Sequence, residues 1–192
     1  MQNKRIAITG GIGSGKSELR KIIAKFGFPV FSCDEISNLL WEESFYQARL
    51  LSAFPDCTTE GKIARSLLSE KIFADPEARK KLNAISHPLI MQRLFGQMAK
   101  HKVAFAEVPL LFESGCETEF DEIIVVIRQK DLRISALKKR NGWNESQIHA
   151  RFAGQIDYES HDFTNCQLLY NNGSVAELET NAQKLLQKLK LF

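Results

Sequence analysis

Disulfide and zinc chemistry have little to work with in this chain. Its 192 residues include four cysteines, Cys33, Cys57, Cys116 and Cys166, and no two form a C-x-x-C pair. Wide, irregular spacing excludes a zinc pattern and a disulfide framework, and leaves scattered reduced thiols of the kind found in cytosolic proteins. No apolar run approaches the roughly 20 residues that cross a bilayer. The opening MQNKRIAITGG reaches Gly10 too soon for the apolar region of a secretory signal. The expectation is a cytoplasmic protein with no membrane partner, and no internal repeat or low-complexity segment argues otherwise. The net charge of +3 is too small to imply a nucleic-acid partner. The positive charge is uneven, however. RQKDLRISALKKR, Arg128 to Arg140, carries three Arg and three Lys against one Asp. Such a run is either a solvated helix face or a site for an anion.

The hydrophobic pattern alternates between two periods. KRIAIT (Lys4–Thr9) reads as a strand. Lys16 to Phe26 reads as a helix, with Leu19, Ile22, Ile23 and Phe26 on one face and Gly27 ending it. FPVFS (Phe28–Ser32) is a second strand, so the chain begins β-loop-α-β and calls for a parallel sheet. Residues 34–101 read as helices without a convincing strand: one over Asp34–Phe54, a polar break at PDCTTEGK, then helices over Ile63–Phe73, after Asp75-Pro76, and again from near Pro88. Strands return at KVAFAEV (Lys102–Val108) and EIIVVI (Glu122–Ile127), apolar on both faces, and more weakly at QLLY (Gln167–Tyr170). Helices fill Lys130–Arg140, Glu145 to about Gln155, and Ser174 to about Leu189. Asn144/Gln147 and Ser174/Glu177 have capping-box spacing. The pattern predicts an α/β fold: a five-stranded parallel sheet between helical layers. The core covers 1–33 and 102–192, with a small helical lid at about 138–156. A helical insertion over 34–101 packs at the sheet's carboxyl edge, where ligands of open α/β sheets bind.

The chemistry is concentrated in GGIGSGKS, Gly10 to Ser17. It matches G-x-x-x-x-G-K-S with a strand before and a helix after. Four glycines in six residues let backbone N–H groups turn inward around an anion, with the helix N-terminus behind them. Lys16 is placed for the β- and γ-phosphates and the Ser17 hydroxyl for Mg²⁺. The guanine-reading N-K-x-D and the γ-phosphate switch D-x-x-G are both absent, which excludes a GTPase switch. Glu107 ends the strand VAFAE. It is either a holder of a magnesium-bound water or an ordinary strand-end carboxylate. A chain this short suits a small-molecule kinase.

Beyond this loop, CDEI after strand two, IFADPEARKKLNAISHPLI in the insertion, VPLLFE after strand three and RNGW…RFAGQ in the late helices occur in an order that resembles the dephospho-CoA kinases. The resemblance covers nearly the whole chain. It implies a P-loop kinase core of the nucleoside-triphosphate-hydrolase type, a helical CoA-binding domain and a mobile lid. It also implies transfer of the ATP γ-phosphate, with Mg²⁺, to the ribose 3′-hydroxyl of dephospho-CoA, the last step of coenzyme A biosynthesis. ATP and dephospho-CoA are then the partners, and a monomer is expected.

Carried over residue by residue, the resemblance implies three catalytic residues. These are Lys16, Asp34, which either accepts the proton of the acceptor hydroxyl or N-caps the next helix, and the lid residue Arg140. Gly11, Ile12, Gly13, Ser14, Gly15, Lys16, Ser17 and Glu18 would bind ATP phosphates, with Arg140 closing over them and the Asn171–Gly173 loop (Asn171, Gly173) holding adenine. Arg65, His87, Pro109, Leu110, Leu111, Glu113, Arg133, Arg151 and Gln155, together with Asp34, would line the acceptor site. Each has a plainer alternative: a solvated arginine, a capping histidine before Pro88, apolar packing for the leucines, a surface pair for Arg151 and Gln155. The chain departs from the family's pattern at Ser32 for the first Asp of D-x-D and at Glu18 for a Thr after the loop serine. It departs again at Asn165-Cys166 for Ala-Asp and at His161 for a basic residue. Beside phosphate Glu18 would be repelled, so its carboxylate is expected to point away.

Overall fold

A computed structural model describes residues 3–191, so residues 1, 2 and 192 of the expected core lie outside it. Its central sheet contains β1 (Lys4–Thr9), β2 (Val30–Ser32), β5 (Val103–Glu107), β6 (Glu122–Ile127) and β7 (Gln167–Tyr170), in the order β2-β5-β1-β6-β7. β1 pairs in parallel with β5 on one side and β6 on the other, and β6 with β7. Crossovers on both sides of β1 make its carboxyl end the topological switch point, where the Gly10–Ser17 loop begins.

The chain separates into two compact units, residues 1–31 with 98–192, and residues 32–97. In the first, α1 (Lys16–Lys25) and α8 (Val175–Lys188) lie together on one face of the sheet. Their Leu19, Ile22, Ile23, Leu178, Ala182 and Leu186 bury Ile6, Ile8, Phe105, Ile124, Val126 and Leu169. The intervening Ala7, Ala104, Ala106 and Val125 are buried too, which is why these strands show no polar alternation. α6 (Lys130–Asn141) stops at Gly142, whose φ of 66° is the left-handed geometry of a helix C-terminus. α7 (Glu145–Phe152) and α8 both open with the expected capping boxes, Asn144/Gln147 and Ser174/Glu177.

In the second unit the structure corrects three expectations. The helix over Asp34–Phe54 is two, α2 (Cys33–Trp41) and α3 (Ser44–Ala53), parted at Glu42-Glu43, with Glu43 extended at the N-cap. The polar break is not structureless. β3 (Thr58–Thr59) and β4 (Lys62–Ile63) form a small antiparallel hairpin, turned by Glu60 and Gly61 at positive φ of 51° and 74°. After α4 (Arg65–Ala74), residues Pro76–Met98 form one 23-residue helix, α5, with Pro88 inside it, where two helices are expected. Pro88 cannot donate to the Ala84 carbonyl, a loss that ends most helices. Here the helix continues past it, where Leu94 and Met98 are fully buried. Among the described residues no helix is long and apolar enough to cross a membrane.

Phe105 is fully buried at the centre of the core, so Phe105→Ala is expected to cost ~3–5 kcal/mol in urea unfolding. Ser174→Ala, which removes only a cap, should cost ~1 kcal/mol.

Candidate active site

Three glycines give the Gly10–Ser17 loop its shape. Gly10, Gly13 and Gly15 have φ of 144°, 81° and 98°, values side chains resist. Space is short as well: a Cβ at Gly10 would meet the Val126 carbonyl, and one at Gly15 the Asn171 amide nitrogen. With its N–H groups turned inward, the loop must find other partners for its carbonyls. Lys16 Nζ donates to the carbonyls of Gly10 at 2.7 Å and Gly11 at 3.2 Å. Arg133 Nε donates to Ile12 O at 2.9 Å, Arg128 Nη1 to Gly13 O at 3.5 Å, and Asn171 Nδ2 to Ser14 O at 2.8 Å. Ile12 N–H donates to Gln155 Oε1 at 2.7 Å and Ser14 N–H to Gly11 O at 3.0 Å. Ser14 Oγ is buried without a hydrogen-bond partner, so a polar group inside the loop stands ready for a ligand.

The metal-side residues meet. Ser17 Oγ donates to Glu107 Oε1 at 2.9 Å, and Arg20 Nε lies 3.5 Å from Glu107 Oε2. Glu107 is nearly buried at the end of β5. A hydroxyl and a carboxylate side by side at a phosphate loop are hard oxygen donors, and Mg²⁺ takes few protein ligands beside phosphate and water. The residues present therefore fit that ion. Glu18 pairs outward with Lys21 at 3.5 Å, in the direction expected for it. Arg20 is a participant the sequence reading missed; its position three residues after Ser17, one helical turn on, is the available signal.

On the opposite flank of the loop, Arg128, Tyr158, His161, Phe163, Tyr170 and Asn172 are among the residues lining a cavity of about 680 Å³. Its wall is aromatic: Tyr158 stacks on Phe163 at 5.8 Å, and His161 lies 4.9 Å from Phe163 and 5.1 Å from Phe112. Burial pushes the Tyr158 hydroxyl up to about 12, so it stays neutral beside Thr9 Oγ1 at 3.4 Å. The sequence pattern offered Arg128 as the start of a possible anion site, Asn172 as part of the adenine loop and His161 as a departure, but gave Tyr158, Phe163 and Tyr170 no binding role. Asn171 itself is buried and bound to the loop through its side chain, and its N–H donates to Ile127 O at 2.8 Å. Gly173 is required locally, because a Cβ there would collide with the capping carboxylate of Glu177.

The remaining candidates divide. Leu111 is fully buried and belongs to the core, which corrects the expectation that it walls a pocket; Leu110 is exposed and Pro109 half-buried. Glu113 Oε1 accepts from Ile156 N at 2.9 Å and so ties the turn after α7. Arg151 and Gln155 are not on one helix face. α7 stops at Phe152, Gly154 follows, and Gln155 turns back to the phosphate loop while Arg151 lies 3.7 Å over the Trp143 ring. Arg133 sits on the phosphate loop with its guanidinium 4.4 Å over the Phe152 ring. Arg140 is exposed in the last turn of α6, its Nε donating to Asn141 Oδ1 at 2.8 Å.

In the second unit, Ser32, not Asp34, is the N-cap of α2: its hydroxyl accepts from Glu35 N at 3.4 Å. Asp34 is exposed in the first turn of α2, two residues past the end of β2. Arg65 lies 4.5 Å over the Trp41 ring, with Nη1 donating to Asn38 Oδ1 at 3.4 Å. His87 lies inside α5 rather than capping a helix start, and burial lowers its affinity for a proton. Pro88 and Leu89 line, with Arg49 and Lys81, a second cavity of about 520 Å³.

Comparison with known proteins agrees with this arrangement. The family model described as dephospho-CoA kinase matches residues 4–177. A dephospho-CoA kinase of Bdellovibrio bacteriovorus is 33% identical, over 97% of this chain and 96% of the relative. A crystal structure from Thermus thermophilus superposes with a TM-score of 0.87 at 29% identity, covering 98% of this chain and 99% of that one. A dephospho-CoA kinase from Campylobacter jejuni does so at 0.70 and 26%, covering 98% of each. A phosphate loop at the switch point, its serine joined to a strand-end glutamate, and these matches along nearly the whole length place the chain in the dephospho-CoA kinase family.

Proposed function

We propose that this protein transfers the γ-phosphoryl group of ATP to the 3′-hydroxyl of the dephospho-CoA ribose, giving coenzyme A and ADP. The observation that carries the proposal is the phosphate loop with Lys16 seated on its carbonyls and Ser17 bonded to Glu107, in a chain of this family. In this reading the amides of Gly11, Ile12, Gly13, Ser14 and Gly15, and those of Lys16, Ser17 and Glu18 at the start of α1, surround the phosphates. Lys16 moves from the Gly10 and Gly11 carbonyls to the β- and γ-oxygens, and Gln155 yields the Ile12 amide. Ser17, with Glu107 behind it, would hold Mg²⁺, which when bound neutralises charge between the β- and γ-phosphates. The aromatic cavity beside Asn172 receives the adenine ring, with the Asn171–Gly173 backbone at its edge.

Asp34 is the group proposed to orient the acceptor hydroxyl and take its proton as the oxygen attacks phosphorus and ADP leaves. Exposure and a place just past the carboxyl end of β2 support that role. Arg140, exposed next to the Gly142 turn, would close over the transferring group and help exclude water. The unit over residues 32–97, with Arg65 and His87, is proposed to receive the acceptor together with Leu110, Glu113 and Arg151. The setting proposed is a cytoplasmic monomer without a nucleic-acid partner, and four free cysteines suit a reducing compartment.

The deciding experiment is Mg²⁺-dependent ADP release with dephospho-CoA, adenosine, AMP or no acceptor, with the product identified by mass. Turnover confined to dephospho-CoA is expected; ATP binding without turnover on any acceptor overturns the proposal. Asp34→Asn should lower kcat by ~10²–10⁴-fold while ATP affinity stays within about twofold. Near-normal turnover would remove Asp34 as the base. Arg140→Ala should lower kcat by ~10³-fold, an effect on rate rather than on ATP binding, read by single-turnover kinetics.

A further inference from the structure

Arg133 is the fourth residue of α6 and only 7% exposed. Its Nε is satisfied by the Ile12 carbonyl at 2.9 Å. Its two terminal amino groups, with four N–H donors between them, meet no acceptor among the described residues, and no carboxylate there comes within ion-pair distance. Phe152 covers the guanidinium on one side at 4.4 Å. Gly11 lies against it on another: a Cβ there would collide with Nη2 and stand 2.9 Å from Nη1. Burial works against the charge, and Glu159, Tyr158 and Asp157 offset that only through space. A guanidinium with so little exposure and no carboxylate partner favours an anion at its open amino groups. A fork of two amino groups is shaped to take two oxygens of one phosphate.

The position selects which phosphate. Gly11, against which the guanidinium lies, also accepts from Lys16 Nζ at 3.2 Å. Lys16 is the side chain that in such loops reaches the β- and γ-phosphates. Two cations on one glycine leave the far end of the phosphate chain as the anion both can share, and the amide next to them, Ile12 N–H, is held by the displaceable Gln155.

We propose that Arg133 binds the terminal phosphate of the nucleotide donor, making it a second arginine of the phosphoryl-transfer site beside Arg140. It was expected at the acceptor site; its place on the loop assigns it to the donor. A consequence is discrimination between triphosphate and diphosphate. The triphosphate satisfies the fork and the diphosphate does not, which favours release of the spent nucleotide.

The inference rests on the reading of the loop as an ATP site, and calorimetric titration without acceptor separates the two. Wild-type protein and Lys16→Ala, titrated with Mg-ATP, test the ATP site. The ratio of ATP to ADP affinity in Arg133→Gln and Arg133→Lys tests Arg133. Arg133→Gln is expected to lower the ATP affinity about tenfold and the ADP affinity less than twofold, so the ratio falls. Arg133→Lys should lower it less, since the charge remains without the fork. A clamp that only shapes the loop would weaken both nucleotides together. An unchanged ratio in Arg133→Gln, or in Arg133→Lys should the glutamine variant fail to fold, overturns the proposal.

Discussion

A loop that turns its N–H groups inward to hold an anion turns its carbonyls toward the protein, and each of those must be satisfied. Much of the first unit follows from that demand. The carbonyls of Gly10 and Gly11 take Lys16; those of Ile12, Gly13 and Ser14 take Arg133, Arg128 and Asn171. The partners come from α1, from α6 and the residues before it, and from the end of β7. The loop is thus gripped by elements up to 157 residues away in sequence. The cations among them bring positive charge to the place where a polyphosphate must sit, so one arrangement supports both loop shape and ligand affinity.

The same reasoning accounts for Glu107. A carboxylate nearly buried at a strand end needs donors, and Ser17 and Arg20 supply them, one helical turn apart on α1. The pairing fixes the serine hydroxyl where a hard cation would need it. It also joins β5 to α1, two neighbours in the buried layer beneath the loop.

The segment over 138–156, proposed as a lid, is less tightly specified. Its contacts with the loop are a stacked arginine, one side-chain amide on one N–H, and a glutamate holding the turn behind it. Polar contacts of this kind mark the lower-stability parts of a fold and suit the opening and closing proposed for this segment.

The phosphate loop, the parallel strands and both capping boxes were legible in the sequence because each is local. Glycine spacing, unbroken apolar runs and i to i+3 pairs act within a few residues, and Asn144, Ser174 and the limits of β1, β6 and β7 accordingly stand where the pattern puts them, while β2 and β5 are shorter than their apolar runs. Local rules failed where distant packing outweighed them. Pro88 ends a helix by its own chemistry, yet α5 runs through it. Leu111 follows a strand as a pocket leucine would, yet the core takes it. Ser32 stands where the family has an Asp and serves as the cap, a duty the sequence also offered to Asp34. Arg133 and Gln155 offered only charge and spacing. The sequence by itself determined that a phosphate is held and at which strand end. Tertiary structure alone decided which side chains surround it, because partners more than 100 residues apart meet only when the sheet has formed.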